Sequence, residues 1–542
     1  MVPESNSPTA GRPQARGVWA SRLLVPATAA SAAILLASPD ASAQCGDPLT
    51  GSCCMPHGTG GCDDLGCCVT VGNVDFSCLV EWDSVCAALA VELCGNVCVD
   101  EILPEPEPQA NAAYGIALDW ADGPFIDDAA LVAAGSYLRN DTSGAKEIDN
   151  AGSMTLLRRG ADGLWQEDAT LFATEPVSNT YFGRSVAVSK GATGNFAYAI
   201  AGAYRDSQVA QQRGAAHVFV SNVPGTWSPS TVLRPTFSQG AVANEWFGFS
   251  VAAGHVPANG SFAGADEILV GAPRGNISAR GAIYTYRRNG KAWDFQTKIT
   301  TLSSASYNGS QFGWSVDFEP NVATGQNELP LPAPYKVLVI GAPGYNAAAG
   351  RVFVAEKLAN TDWTSTPQKT LAIAGLVPGD RYGDAVSIAS RFVAIGIPGK
   401  NGARGAVQIF ERIGNTVSNW RNRLQIAPEE LLPDDRFGSA VSLKQWWTGQ
   451  VLLAVGARGD ATNLAQSGAV YLYVWTPGDP PDLWVPLGKH FDVSPELGAQ
   501  FGFSVAAGDI QTVVGAPFSN TAVPGPPPVI LNNAGEVQGV FP

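Results

Sequence analysis

One short motif, an aromatic residue followed by glycine, recurs along the chain and constrains its fold more than any other feature. Six copies have the pattern aromatic-Gly-x-Ser/Ala-Val, and a degenerate first copy begins at Tyr114. The glycines of successive copies are 55 to 70 residues apart. Such regular recurrence indicates a repeat protein, in which each unit packs against its neighbours. The six full copies contain Phe182-Gly183, Phe247-Gly248, Phe312-Gly313, Tyr382-Gly383, Phe437-Gly438 and Phe501-Gly502.

Each repeat has the same internal order of elements. An apolar strand ends in a turn related to Gly-Ala-Pro, a strand that begins with glycine and alternates in polarity follows, and a segment that begins with tryptophan comes last. Proline fixes φ and ends a strand, so we expect four short strands per repeat. The clearest turns contain Gly271 and Pro273, Gly341 and Pro343, Gly396 and Pro398, and Gly515 and Pro517.

These repeats predict a closed ring. A four-stranded unit cannot bury both of its faces alone, so neighbouring units must stack, and a ring of stacked units also removes long sheet edges. The chain has 60 glycines and 38 prolines among 542 residues, which favours tight turns and short strands over long helices.

An aromatic-Gly pair followed about 25 residues later by Gly-Ala-Pro resembles the FG-GAP repeats that form the propeller in the head of integrin α subunits. The resemblance covers residues 113–542. It implies an all-β fold, a seven-bladed β-propeller of four-stranded antiparallel blades. In such propellers the chain's start supplies the missing strand of the last blade, so we expect a strand near residues 98–113. Prolines at 104, 106 and 108 disfavour a strand there, and an open seventh blade is the alternative.

The repeated residues have structural and functional interpretations. The aromatic rings could form a ligand-stacking platform, but one ring at the same position in every repeat favours filling of the gap between blades. The glycine beside each ring then allows two backbones to approach. Recurrent serines have no matched histidine or aspartate, which disfavours a nucleophile; they are Ser185, Ser250, Ser315 and Ser504.

The region before the repeats divides into three segments. Residues 1–43 have basic residues, an apolar run and an Ala41-Ser42-Ala43 cleavage pattern, which predicts a signal peptide. A membrane anchor is the alternative, but the run is shorter than the ~20 residues that span a bilayer and Pro26 interrupts it. Residues 44–99 form a cysteine-rich module. Residues 100–112 alternate proline and glutamate and predict an extended linker.

All ten cysteines lie within the cysteine-rich module. In an exported chain, an even number of cysteines in so short a segment predicts a disulfide framework. Zinc bound by Cys54, His57, Cys62 and Cys67 is the alternative, although thiols in an oxidising compartment oxidise before they coordinate. The pattern also resembles a small cysteine-rich module of secreted bacterial proteins. The cysteines are Cys45, Cys53, Cys54, Cys62, Cys67, Cys68, Cys78, Cys86, Cys94 and Cys98.

The formal net charge of −15 argues against nucleic acid, because phosphate binding requires basic side chains. After residue 43 no segment is long and apolar enough to span a membrane. We expect a secreted, periplasmic or cell-surface protein.

No cofactor is expected, with calcium the one candidate. Integrin-type blades often carry an Asp-x-Asp/Asn-x-Asp-Gly loop, whose oxygens suit this hard cation. The equivalent loop at 254–266 has a single acid, Asp266. Only the first repeat is rich in acids, with Asp119, Asp122, Asp127 and Asp128, and its spacing departs from the pattern.

The sequence favours a non-catalytic binding or adhesion scaffold whose propeller loops recognise an extracellular protein or glycan. Arg458-Gly459-Asp460 follows a turn and is a candidate adhesion tripeptide. The four histidines are isolated, and His217 within a strand is expected to be scaffold. The alternative is a secreted hydrolase or lyase with its site in the propeller's central pocket.

Overall fold

The computed structural model describes residues 101–541, together with residues 68, 71, 78 and 86. Short segments inside that range lie outside the described residues: 104, 106, 123–129, 143–145, 160–164, 192–195, 209–210, 236–241, 259–262, 276, 302–303, 323–334, 414–418, 447–448, 510 and 524–528. The predicted signal peptide and most of the cysteine-rich module therefore also lie outside them.

The repeats form seven four-stranded antiparallel sheets, which are the blades of a β-propeller. In the first six blades, four consecutive strands pair in chain order. The first blade is β2 (Tyr114–Asp122), β3 (Ala130–Ser136), β4 (Ser153–Arg159) and β5 (Trp165–Leu171); the second is β6 (Phe182–Lys190), β7 (Ala197–Ala203), β8 (Ala215–Val223) and β9 (Thr226–Leu233); the third is β10 (Ser250–Val256), β11 (Ala265–Ala272), β12 (Ala282–Asn289) and β13 (Ala292–Ile299).

The next three blades follow the same order. The fourth is β14 (Val316–Val322), β15 (Tyr335–Gly341), β16 (Val352–Leu358) and β17 (Lys369–Leu371); the fifth is β18 (Val386–Ala389), β19 (Phe392–Gly396), β20 (Val407–Arg412) and β21 (Trp420–Ile426); the sixth is β22 (Phe437–Gln445), β23 (Val451–Ala457), β24 (Ala469–Trp475) and β25 (Val485–His490). Short helical turns connect some strands: Ile277–Ala279, Ala305–Tyr307, α1 (Tyr345–Ala348) and α2 (Lys400–Ala403).

The seventh blade is closed by the start of the propeller chain. It contains β26 (Ser504–Ala507), β27 (Thr512–Ala516), β30 (Glu536–Val540) and, antiparallel to β30, β1 (Glu101–Leu103). A hairpin of β28 (Thr521–Val523) and β29 (Val529–Leu531) precedes β30. The predicted closure is confirmed, and the alternative of an open blade is not what the structure has. The closing strand ends immediately before Pro104, so the prolines do not interrupt it.

The middle strands of the blades are buried on both faces. Every residue of β3, β7, β15 and β23 is buried. The strand β24, which was expected to alternate, is also buried throughout. Because each blade is stacked between two neighbours, both of its faces need apolar side chains. The outer strand β9, in contrast, has one buried residue among its eight.

The aromatic ring of each aromatic-Gly pair fills the space between two blades. All six rings of the full copies are fully buried, so they cannot be ligand-stacking platforms. Phe182, for example, packs with Leu156 of the first blade and Ala199 of the second. The aromatic also pairs with the glycine that begins the third strand of the preceding blade. These parallel bridges are Gly152–Phe182, Gly214–Phe247, Gly281–Phe312, Gly350–Tyr382, Gly405–Phe437, Gly468–Phe501 and, across the closure, Gly535–Tyr114.

Glycine beside the ring is required by close backbone approach. Gly183 has φ of +84°, and a Cβ at this position would lie 2.1 Å from the carbonyl oxygen of Ser153. A side chain would therefore force the two blades apart.

The described part of the cysteine-rich module contains a disulfide between Cys78 and Cys86. Cys68 is also disulfide-bonded. The other seven cysteines and His57 lie outside the described residues. Among the described helices, none is long and apolar enough to cross a membrane.

Candidate functional site

The innermost strands surround a cavity of about 650 Å³ on the propeller axis, at the end where the aromatic-Gly pairs lie. The second residue after each repeated aromatic contributes to its lining. These residues are Ile116, Arg184, Phe249, Trp314, Asp384, Ser439 and Phe503. Because this position varies between blades, side chains of six types meet around one axis.

The residue before each repeated aromatic has an unusual backbone conformation. All seven have φ between +56° and +59°, the left-handed region that residues other than glycine seldom adopt. Arg381 and Arg436 reach the cavity from this position. Because the same turn occurs in every blade, it belongs to the repeat. The seven residues are Ala113, Tyr181, Trp246, Gln311, Arg381, Arg436 and Gln500.

A third group of side chains at the cavity stands where the proline of the Gly-Ala-Pro turn is replaced by another residue. In the sixth blade Arg458 replaces the proline, and its guanidinium carbon lies 5.0 Å from the centre of the Phe503 ring. In the first two blades tyrosines stand at this position. The Tyr137 ring lies 5.4 Å from that of Tyr181, and Tyr204 lies 5.4 Å from Trp246. Each replacement thus contacts the next blade at the mouth of the cavity.

Arginines of the cavity lie against aromatic rings. The Arg184 guanidinium carbon is 4.8 Å from the centre of the Phe249 ring, and that of Arg381 is 5.2 Å from the Trp314 ring. Arg381 Nη2 also forms a 2.5 Å ion pair with Asp384. Guanidinium groups stack favourably on aromatic faces, and the stacking limits their freedom. The rings therefore hold the charges in place around the cavity.

The cavity carries excess positive charge within an acidic protein. Its charged lining in the described part of the chain is Arg184, Arg381, Arg436, Arg458 and Asp384, a formal charge of +3. Burial lowers the pKa of Arg184, although Asp384 acts in the opposite direction. Burial also lowers the pKa of Arg458, as do the three other arginines, while Asp384 opposes this. Arginine nevertheless stays protonated, so the site consists of permanent cations that lack sufficient counter-charge.

Hydroxyl groups in the cavity wall are engaged in structural hydrogen bonds. Ser185 Oγ donates to the carbonyl of Gly248 in the next blade at 2.9 Å. The same bond occurs from Ser250 to Gly313, from Ser315 to Gly383 and from Ser504 to Gly115. These serines therefore link adjacent blades, which gives their recurrence a structural cause.

At the other end of the axis, side chains join neighbouring innermost strands. The fifth residue after the aromatic accepts a hydrogen bond from a backbone amide of the next blade. Asp119 accepts from Val188 at 2.8 Å, and Asp317 accepts from Ile388 at 2.8 Å. Ser387 accepts from Leu443 at 3.0 Å and Ser442 from Ala507 at 3.0 Å. Amides on this inner sheet edge are thereby satisfied.

This second end of the axis is acidic. Burial raises the pKa of Asp119, of Glu319 and of Asp509 to about 7 in each case. Lys444 forms an ion pair with Asp122. Burial disfavours ionisation of Asp122, but Lys444 together with hydrogen bonds to Asp509 and Trp120 outweighs burial and lowers the pKa of that carboxyl. The axis is therefore cationic at the cavity and acidic beyond it.

Of the four calcium candidates in the first repeat, two lie in the described part of the chain and two lie outside it. Asp119 and Asp122 have the protein partners given above, and Asp122 also accepts from the Trp120 indole at 2.9 Å. Asp127 and Asp128 lie outside the described residues. No cluster of three potential metal ligands occurs within the described part of the chain. Calcium in the first blade stays an untested candidate beside the expectation of no cofactor.

The Arg458-Gly459-Asp460 tripeptide is not exposed as the adhesion hypothesis requires. Arg458 faces the cavity, whereas Asp460 is buried and forms a 2.8 Å ion pair with Lys489. The interpretation of these three residues as an exposed adhesion tripeptide is therefore wrong. His217 is also buried, and burial lowers its pKa to about 4, which agrees with a place in the scaffold.

Comparison with known proteins supports an integrin-like β-propeller. The FG-GAP repeat family matches residues 165–219 and 420–473. Each match begins in the outer strand of one blade and ends in the third strand of the next, so the sequence unit straddles two blades. Human integrin alpha-D is 28% identical over 216 aligned residues, which cover 37% of this chain and 17% of that protein. The chain thus spans about a sixth of the length of this curated relative.

Proposed function

We propose that the chain is an exported, non-catalytic binding scaffold that recognises a protein or glycan outside the cell through the cavity end of its propeller. The predicted signal peptide at residues 1–43 would direct export, and the linker at 100–112 would separate the cysteine-rich module from the ring. The disulfide between Cys78 and Cys86 supports an oxidising compartment, where such bonds persist.

The observation that carries this proposal is the composition of the axial cavity. Residues from all seven blades line it, and the repeated Ser/Ala-Val positions share its wall with a position that varies between repeats and supplies Arg184, Trp314 and Asp384. A rigid ring whose blades present charged, aromatic and polar side chains at one position suits recognition of one partner. Integrin-like propellers are similar in architecture, and this likeness supports binding without specifying the partner.

The composition also disfavours the alternative of a hydrolase or lyase. General acid–base catalysis by carboxyl groups needs two of them at the site, or a carboxyl with another proton-transferring group. Asp384 is the one carboxylate in the described lining and is paired with Arg381. The serines of the wall donate to backbone carbonyls of the next blade.

A combined binding and activity screen tests the proposal. The full chain would be produced with export, and the exported protein would be presented to a glycan array and to extracellular protein fractions. A partner whose capture is lost in Arg184→Gln and retained in the exposed-surface variant Arg421→Gln is the expected result. Catalytic turnover that a single change, Asp384→Asn, abolishes would instead favour the enzyme.

A further inference from the structure

We propose that the axial cavity receives carboxylate side chains of an acidic segment of a partner protein, with Arg184 and Arg458 as the principal contacts. This inference rests on the proposed function, in that it takes the cavity as the binding face. It adds the chemical class of the ligand and the groups that recognise it.

The first argument is incomplete pairing of the arginines. Asp384 faces four guanidinium groups and forms its ion pair with Arg381. Arg458 Nε is buried and has no hydrogen-bond partner among the described residues. A buried donor without a partner is costly, so an acceptor from a ligand would relieve that cost. Guanidinium groups match the geometry of carboxylates, to which they can donate two parallel hydrogen bonds.

The second argument is the preorganisation of the charges. Arg184 and Arg458 are held at 4.8 and 5.0 Å from the rings of Phe249 and Phe503. Both rings come from the next blade around the axis. Side chains that are already ordered lose little further freedom on binding, so more of the interaction energy becomes affinity.

The third argument distinguishes an acidic peptide from a glycan. Sugar rings are commonly recognised on open aromatic faces, but here guanidinium groups lie over the rings of Phe249, Trp314 and Phe503. The cavity therefore offers charge rather than stacking surfaces. Beyond it, the axis is acidic around Asp119 and Glu319, so an anionic chain should not thread through the ring. Short carboxylate side chains that enter from the mouth satisfy both conditions.

The mouth carries a wider cationic and aromatic surface that can contact the rest of such a segment. Arg205 lies 4.8 Å from the centre of the Tyr181 ring, and Arg274 lies 4.6 Å from that of Trp246. The Tyr204 ring contacts both the Tyr181 ring and the Trp246 ring. This surface leads from the second and third blades to the cavity and matches a negatively charged partner.

Fluorescence anisotropy with the full chain and a labelled peptide of alternating aspartate and glycine tests the inference. We expect saturable binding that weakens as salt concentration rises, with no binding of the matching asparagine peptide. Arg458→Gln should weaken binding at least tenfold, because a charge-assisted hydrogen bond is lost. Arg421→Gln, on the exposed face of β21, removes the same charge and should change affinity less than twofold.

Folding is verified by circular dichroism, and Arg184→Gln provides a second, independent variant. Equal peptide affinity in Arg458→Gln, Arg184→Gln and the parent would overturn the inference. If the protein instead prefers a sulfated oligosaccharide and Arg458→Gln abolishes that binding, the inference of an acidic protein segment is overturned. The proposal of a binding scaffold would then still hold. Partner capture that neither arginine variant weakens would also overturn the inference. Failure of the proposed function itself would instead appear as catalytic turnover.

Discussion

The carboxylate of Asp119 in the first blade accepts a 2.8 Å hydrogen bond from the backbone amide of Val188 in the second. This contact joins two innermost strands beside the axis, and among the described strands β6 pairs on one side alone, so its other edge has no strand to satisfy the amide. A residue that the sequence suggested as a calcium ligand thus has a structural partner.

The titration of Asp119 predicts a pH-dependent stability. Burial raises the pKa of Asp119 to about 7, above the ~3.9 of an unfolded aspartate. The folded state therefore binds a proton between these values, so the stabilisation is complete below pH ~4 and is lost as pH rises through 7. The free energy of unfolding should fall between pH 5 and 8, by roughly 2–3 kcal/mol from this group. Urea unfolding across this range measures it.

Asp119→Asn tests whether the titration of Asp119 causes this pH dependence. The amide oxygen of asparagine can still accept from Val188, but it does not titrate. The variant should match the parent at pH 5 and exceed it in stability at pH 8. Asp482→Asn, in an exposed loop, should reproduce the parent profile. A steeper fall for Asp119→Asn than for the parent would contradict the assignment.

Alanine substitutions at Gly183 and Gly375 should distinguish the cost of a steric clash between blades from the cost of a left-handed backbone conformation. Gly183→Ala places a Cβ 2.1 Å from the carbonyl oxygen of Ser153, at φ of +84°. Gly375 has a similar φ of +75° and open space around it. Gly375→Ala should therefore lower stability by about 1 kcal/mol, the cost of the left-handed conformation. Gly183→Ala should cost more, since two blades must also move apart. Equal losses in chemical denaturation would refute the clash.

The sequence predicted those features of the ring that every repeat needs. An aromatic such as Phe182 must fill each gap between blades and a glycine such as Gly183 must lie beside it, so both recur and are visible as a period. The strand that closes the ring was expected from the resemblance. Its position before Pro104 follows from its register with Val537 and Gly539, which the sequence does not contain.

The axial cavity could not be predicted in the same way. The charges and rings of its lining come from positions that vary between blades, such as Arg184 and Phe249, and averaging over repeats hides them. One available signal was the replacement of proline in the turn by Arg458. The amide acceptors at the other end of the axis are Asp119, Asp317, Ser387 and Ser442, whose common position emerges only from the geometry of adjacent strands.

Breaking a buried ion pair between the third and fourth blades should strongly destabilise the ring. Glu267 accepts from Lys336 Nζ at 2.7 Å, from Arg287 at 2.9 Å and from the Trp363 indole at 3.0 Å. Lys336 is fully buried. Glu267→Gln leaves that ammonium without its carboxylate, so it should lower the free energy of unfolding by about 3 kcal/mol. Lys336→Met removes the buried charge and keeps the Arg287 pair, so its loss in urea unfolding should be smaller.

The strand that closes the ring should determine the local stability of the seventh blade. Leu103 and Ile102 are adjacent in β1, but Leu103 is 1% exposed and Ile102 is 53% exposed. Leu103→Asn removes buried apolar contact with Tyr114 and Val537, whereas Ile102→Asn changes the outer face of the same strand. Hydrogen exchange should show slow amides across Glu536–Val540 in the parent and in Ile102→Asn, and faster exchange in Leu103→Asn. Fast exchange throughout this segment in the parent would show that β1 does not close the ring.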